Sequence, residues 1–165
     1  MATSVEGWKF MKAEDAISGK EGALYATIDN KVVQIAECKN INAKITKNKT
    51  EFKALGYRGT QHKATGWSGT GTLVIHYASS RFAKMMIDYA KSGIDQYFTL
   101  QIVNKDPTSK IGKQTVNLKD VNLDESEIAK LDTEAEFLDQ SMNFTFSDVD
   151  IPDEFTELNS TTTKS

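Results

Sequence analysis

The sequence predicts a mainly β protein, an antiparallel barrel or sandwich with one flanking α-helix over about residues 81–91. Three observations lead there. Ile41, Ala43 and Ile45 alternate with Asn42, Lys44 and Thr46, and Phe98, Leu100 and Ile102 alternate with Thr99 and Gln101, the period-two pattern of half-buried strands. Asp29-Asn30 interrupts two β-prone runs as a two-residue hairpin connection does. Only Phe82, Met85, Met86 and Tyr89 carry a firm helical period, at i, i+3, i+4 and i+7.

The elements follow in order. Residues 1–13 read as a flexible N-terminal arm, residues 14–155 as one β domain, and residues 156–165 as a disordered C-terminal tail. Structure is expected from the turn-rich Ile17–Gly22, then a hairpin of Ala23–Ile28 and Lys31–Glu37, then the Ile41–Thr46 strand. Asn48–Gly66, basic and rich in Gly, Thr and Lys, reads as a long loop, and loops of that length inside a compact domain are usually functional or disordered. Trp67, Gly69, Gly71, Leu73, Ile75 and Tyr77 share one face of the next strand. Ser79 or Ser80 is placed to cap the helix and Gly93 to end it. The strand at Phe98 closes at Asp106-Pro107.

Two phase slips predict bulges. Val116 and Leu118 are out of phase with Val121 and Leu123, which puts a break near Lys119-Asp120. Met142, Phe144 and Phe146 are out of phase with Val149 and Ile151, a second expected bulge. Residues 128–138 read two ways. Ile128, Leu131, Ala135 and Leu138 suit a helical stripe, whereas Asp132, Glu134 and Glu136 alternate with Thr133, Ala135 and Phe137 as on a strand with one carboxylate face, the preferred reading.

With 165 residues the chain has the length of about one domain, and its 39% apolar and 26% charged content is that of a soluble globular protein. No apolar run approaches the ~18 residues that span a bilayer, no secretory leader is visible, and no direct membrane binding is expected. Cys38 stands alone, so an internal disulfide is excluded and synthesis in a reducing compartment, the cytoplasm, is expected. The net charge of −3 hides a segregation. Lys39 to Lys63 holds seven basic residues against Glu51 alone, and Asp120 to Glu157 holds thirteen acids against Lys130 alone. Either these are two solvated faces, or the basic region of one copy meets the acidic region of the next in a head-to-tail contact.

Catalytic chemistry has little to rest on. Cys38, His62 and His76 form no motif, and no CxxC, HExxH or EF-hand spacing is present, so neither an enzyme nor a metal or cofactor is expected. Gly66-x-x-Gly69-x-Gly71 precedes a strand and lacks the Gly-Lys-Ser/Thr ending, so it is no phosphate loop. The alternative to an assembly role is a single-stranded nucleic-acid-binding barrel, since Lys39–Lys63 interleaves cations with Phe52 and Tyr57. An acidic pI near 5.4 opposes it.

Ile17–Gly22, Gly59–Gly71, Met85–Gly93, Tyr97–Gln101 and Asn143–Asp148, in this order, resemble the tail tube proteins of contractile-tailed phages, defective prophages and phage-tail-like (R-type) bacteriocins of Gram-positive bacteria. The resemblance spans roughly Ala13 to Glu154. It implies a small barrel-like fold with a flanking helix, hexameric rings stacked into a hollow tube, and sheath, baseplate and tape-measure proteins as partners. It also implies DNA as cargo in a phage, and a final location in the virion tail or a released tail-like particle. In that setting Lys47, Lys49, Phe52, Tyr57, Arg58 and His62 are the expected contacts to a neighbouring subunit. Asp132, Glu134 and Glu136 are candidates for the lumen through their one-faced alternation, the alternative being an outer solvated face.

Overall fold

The computed structural model describes residues 11–157. A 3-10 turn at Ala13–Asp15 precedes eight strands and one helix: β1 (Gly22–Ile28), β2 (Lys31–Gln34), β3 (Cys38–Phe52), β4 (Gln61–His76), α1 (Arg81–Ser92), β5 (Phe98–Lys105), β6 (Lys113–Leu123), β7 (Asp139–Phe146) and β8 (Asp148–Asp153). The expected N-terminal arm and C-terminal tail lie almost wholly outside the described residues.

All strand pairs are antiparallel, in the order β2-β1-β5-β6-β7-β4-β3, with β8 beside β6. β6 belongs to two sheets. Its first part pairs with β5 and β8, and Asn122 and Leu123 pair with Thr145 and Phe144 of β7. The bend between the two parts is the expected bulge. Phe98 faces Val121 and Leu100 faces Leu118, so β6 carries one extra residue at Lys119-Asp120, and Asp120 takes φ +54°.

The core lies between the sheets. Leu24, Leu73, Ile75, Leu100, Leu118, Val121, Met142 and Phe144 are buried there, and Phe82 of α1 closes one side against Phe98, their rings 6.1 Å apart. Met85 and Met86 also pack on this core while Tyr89 stays about half exposed, so three of the four stripe residues are used. Gly93 ends α1 in the left-handed conformation, its N–H donating to the Tyr89 carbonyl. Ser80 occupies the N-cap position without a capping bond, and Ser79 Oγ accepts the Arg81 N–H instead.

The Asp29-Asn30 hairpin forms as expected, with φ of +50° and +62°, although β2 stops at Gln34. Three expectations are corrected. Asn48–Gly66 is not a long loop: β3 and β4 pair out to Phe52 and Gln61, leaving residues 53–60 as the turn. Residues 128–138 form neither strand nor helix, because nothing pairs with their backbone as a ladder. The slip after Phe146 is not a bulge in one strand. At Ser147, whose N–H donates to the Lys119 carbonyl, the chain leaves one sheet and joins the other as β8.

Candidate assembly interface

The β3–β4 hairpin outgrows its sheet. β7 supports β4 only from Gly69 to His76, so beyond that point Thr46–Phe52 and Gln61–Ser68 form a two-stranded ribbon with no third strand among the described residues. A bulge lies between Asn48 and Lys49, where Gly66 and Ala64 are the successive partners, and Thr65 Oγ1 donates to the Asn48 carbonyl at 3.1 Å. The glycines at the ribbon's root have a packing reason. A Cβ at Gly69 would stand 2.5 Å from the Phe146 ring, and one at Gly71 would meet the Phe144 ring. Trp67, next along this face, lies 6.4 Å from Phe146 and is the last side chain tied to the core.

The expected contact residues all belong to this ribbon. Lys47 is opposite Trp67, Lys49 opposite Ala64, Phe52 opposite Gln61 and His62 opposite Glu51, while Tyr57 and Arg58 sit in the 53–60 turn. All six are exposed. Leu55 in the same turn is fully exposed, and Phe52 and Tyr57 are more than half exposed. Among the described residues, Lys44, Lys47, Lys49, Lys53, Arg58 and Lys63 have no carboxylate within 4.0 Å, as is also true of Lys12, Lys20, Lys31, Lys84, Lys91 and Lys105, so what sets the hairpin apart is the clustering of its cations. Unpaired cations beside exposed aromatics are surface without an internal purpose.

At the other end of the same sheet runs the acidic segment 124–138. It is tied to β7 by polar bonds: Asp124 N to the Asn143 carbonyl (2.8 Å), Asn143 Nδ2 to Glu125 Oε1 (2.6 Å), and Gln140 Nε2 to Ser126 Oγ (2.8 Å) and the Glu127 carbonyl (3.0 Å). Tyr77 adds its N–H to the Leu138 carbonyl and its hydroxyl to that of Ile128. Lys130 Nζ reaches the Asp139 carbonyl at 2.9 Å. The Asp139 carboxylate sits between Lys39 Nζ (2.6 Å) and His76 Nδ1 (3.2 Å), and these neighbours, the hydrogen bond from Lys39 foremost, hold its pKa below the ordinary aspartate value. The lumen candidates Asp132, Glu134 and Glu136 are exposed on this segment, with Asp132 Oδ1 accepting the Glu134 N–H.

Sequence reasoning missed Gln140 and Asn143, which hold the segment together with Tyr77. Gln140 is in phase with Met142, Phe144 and Phe146 and is buried. A polar residue at an inward position was the available signal, since a buried amide must find partners.

The outward face of the β3–β4–β7 sheet is small and polar, with Asn42, Lys44, Thr70, Thr72 and Asn143 around an open cleft of about 370 Å³. His62 lies near the ribbon tip and Cys38 at the strand's other end beside Ile75, so they do not meet. Among the described residues no three or more His, Cys, Asp or Glu side chains converge as metal ligands. No helix of the described residues is long and apolar enough to cross a membrane.

A two-sheet β module with a projecting basic ribbon and an acidic segment at its opposite pole belongs to the class of proteins that act through their surfaces. Residues 9–153 match the family described as phage tail tube protein, and the chain belongs to that family. The phage-like element PBSX protein XkdM of Bacillus subtilis (strain 168) is 43% identical over 147 residues, which is 89% of this chain and 97% of that protein. The fold is similar to a chain in the cryo-EM structure of the anti-feeding prophage baseplate, with TM-score 0.63 at 13% identity over 82% of this chain and 94% of that one. It is equally similar to a chain of the PVC extracellular contractile injection system sheath–tube complex in the extended state, with TM-score 0.63 at 12% identity over 84% and 93%.

Proposed function

We infer that this chain is the tube subunit of a contractile injection particle, associating as hexameric rings that stack into a hollow inner tube. Family membership over nearly the whole chain supports the role. The observation that carries the mechanism is the unsupported ribbon. A lone two-stranded ribbon is marginal in water, so one this long, with aromatics and unpaired cations, is completed by a neighbour. The contact residues proposed are Lys47, Lys49, Phe52, Tyr57, Arg58 and His62.

Lateral closure has a candidate too. β3 ends the sheet, and its 15-residue outer edge is unpaired among the described residues. Pairing of that edge with the next subunit would remove an aggregation-prone edge and join the sheets around a channel. The Asn, Thr and Lys face of the β3–β4–β7 sheet would then look inward, with Asp132, Glu134 and Glu136 adding negative charge near the channel mouth. Negative charge there would keep DNA phosphates from sticking, while Lys44 is the cation of that face that they could contact.

The particle would supply a sheath outside the tube, a baseplate beneath it and a tape-measure protein within, with DNA as cargo in a phage. Synthesis in the cytoplasm would precede incorporation into the tail. Negative-stain electron microscopy of the purified chain over a concentration series tests the reading. Rings or hollow tubes about 10 nm or less across, a few domain widths, support it. Monomers that bind oligonucleotides with a steep salt dependence would favour the nucleic-acid-binding alternative.

A further inference from the structure

We propose that segment 124–138 is the landing surface for the β3–β4 ribbon of a second copy, so that each ring is gripped by the ribbons of the next. This deepens the tube-subunit reading and rests on it. The segment holds six acids, Asp124, Glu125, Glu127, Asp132, Glu134 and Glu136, against Lys130 alone. Lys130 is the cation nearest Glu127 at 3.5 Å, and Glu125 is taken by Asn143. Asp132, Glu134 and Glu136 have no cation within 4.0 Å among the described residues.

A merely solvated acidic loop has no use for large apolar side chains. This one exposes Leu131 at 92%, Phe137 at 78% and Ile128 at 51%. The ribbon shows the complementary set, unpaired cations beside Phe52, Leu55 and Tyr57. Acids and apolar side chains interspersed on one surface, with cations and apolar side chains on the other, is the pattern of a protein interface with a charged rim. Phosphate and anionic lipid are both repelled by the segment.

Asp124 shares a cleft with Lys44, but the Leu131–Phe137 end of the segment and the ribbon tip lie at opposite ends of β4 within one chain. The segment is bonded to Tyr77 and Asp139, beyond the C-terminal end of β4, and the ribbon tip lies at its N-terminal end. Trp67, opposite Lys47, precedes Tyr77 by ten residues, so up to about 33 Å separates the ribbon's root from the Leu138 end of the segment at the ~3.3 Å rise of a strand, and the tip lies farther still. The partner is therefore another copy, placed head to tail. The segment is bonded to β7 and Tyr77 at Asp124–Ile128 and again at Leu138, so the stretch that carries Leu131, Asp132, Glu134, Glu136 and Phe137 is anchored at both ends.

Charge exchange tests this. One variant carries Asp132→Lys, Glu134→Lys and Glu136→Lys, and a second carries Lys47→Glu, Lys49→Glu and Arg58→Glu. Each alone should remain folded by circular dichroism and lose sedimentable tubes. An equimolar mixture should restore them, because each then offers what the other lacks. Tubes from the first variant alone, or no recovery on mixing, would overturn the proposal while leaving the tube reading intact if wild-type protein assembles. Wild-type protein that stays monomeric throughout overturns the tube reading itself, and this with it. Should the charge variants unfold, Leu131→Ala with Phe137→Ala should raise the critical concentration for assembly at least tenfold, and an unchanged value would refute the proposal.

Discussion

Gly71 and Phe144 are register partners across β4 and β7, and the phenylalanine ring fills the space where a side chain at Gly71 would begin. A Cβ there would come 2.7 Å from Phe144 Cε2 and 2.6 Å from the Asn42 carbonyl oxygen. The ring could swing aside, but the carbonyl belongs to the neighbouring strand and cannot. Gly71→Ala should therefore destabilise by about 1–3 kcal/mol, as overpacking does. Gly69→Ala, which meets only the Phe146 ring, should cost less. Urea midpoints of the two variants give the order.

Asp120 tests the bend in β6. Its φ of +54° lies where aspartate is tolerated and β-branched residues are not. Asp120→Gly should leave stability within a few tenths of a kcal/mol, whereas Asp120→Val should cost about 1–2 kcal/mol. Thermal melts at neutral pH would separate them.

Acid should loosen the contact between the first turn and the β5–β6 connection. The Asp106 carboxylate accepts the Ser18 N–H at 2.9 Å, the Thr108 hydroxyl at 2.7 Å and the Thr108 N–H at 2.9 Å, and these bonds, Ser18 first, lower its pKa. A pKa lower in the folded than in the unfolded state contributes stability above the unfolded value, ~3.9, and that contribution fades as pH falls through the folded one. The stability gap between wild type and Asp106→Asn should be widest near neutrality and narrow below about pH 4. Denaturation at several pH values measures it.

Arg58 sits at the ribbon tip with no carboxylate near it among the described residues. Arg58→Glu should leave the monomer's melting curve unchanged and abolish tube growth. Wild-type assembly should also weaken as salt rises from about 0.05 to 0.5 M, over which range the Debye length falls severalfold. Turbidity with microscopy reads both.

Where sequence signals were local, they survived folding. Asp29-Asn30 made its turn, Gly93 ended its helix, and the phase slip at Lys119-Asp120 marked the bulge. The same slip after Phe146 meant something else, because periodicity reports a change of face but not which sheet receives the next residue. The ribbon was invisible as strand for a physical reason: alternation arises only when one face is dry, and both faces of Thr46–Phe52 are wet. Residues 132–137 show the converse, a clean alternation with no partner to make it a strand. Charge segregation was legible from composition. That the two charges occupy opposite ends of one sheet required the register of β4 with β3 and β7.

A hairpin at one pole and its counterpart at the other give the subunit a direction. A stack of such subunits is an arrow with two unlike mouths, one bare of ribbons and one fringed with them. Under the stacking proposed above, whatever begins such a stack and whatever ends it would meet different chemistry.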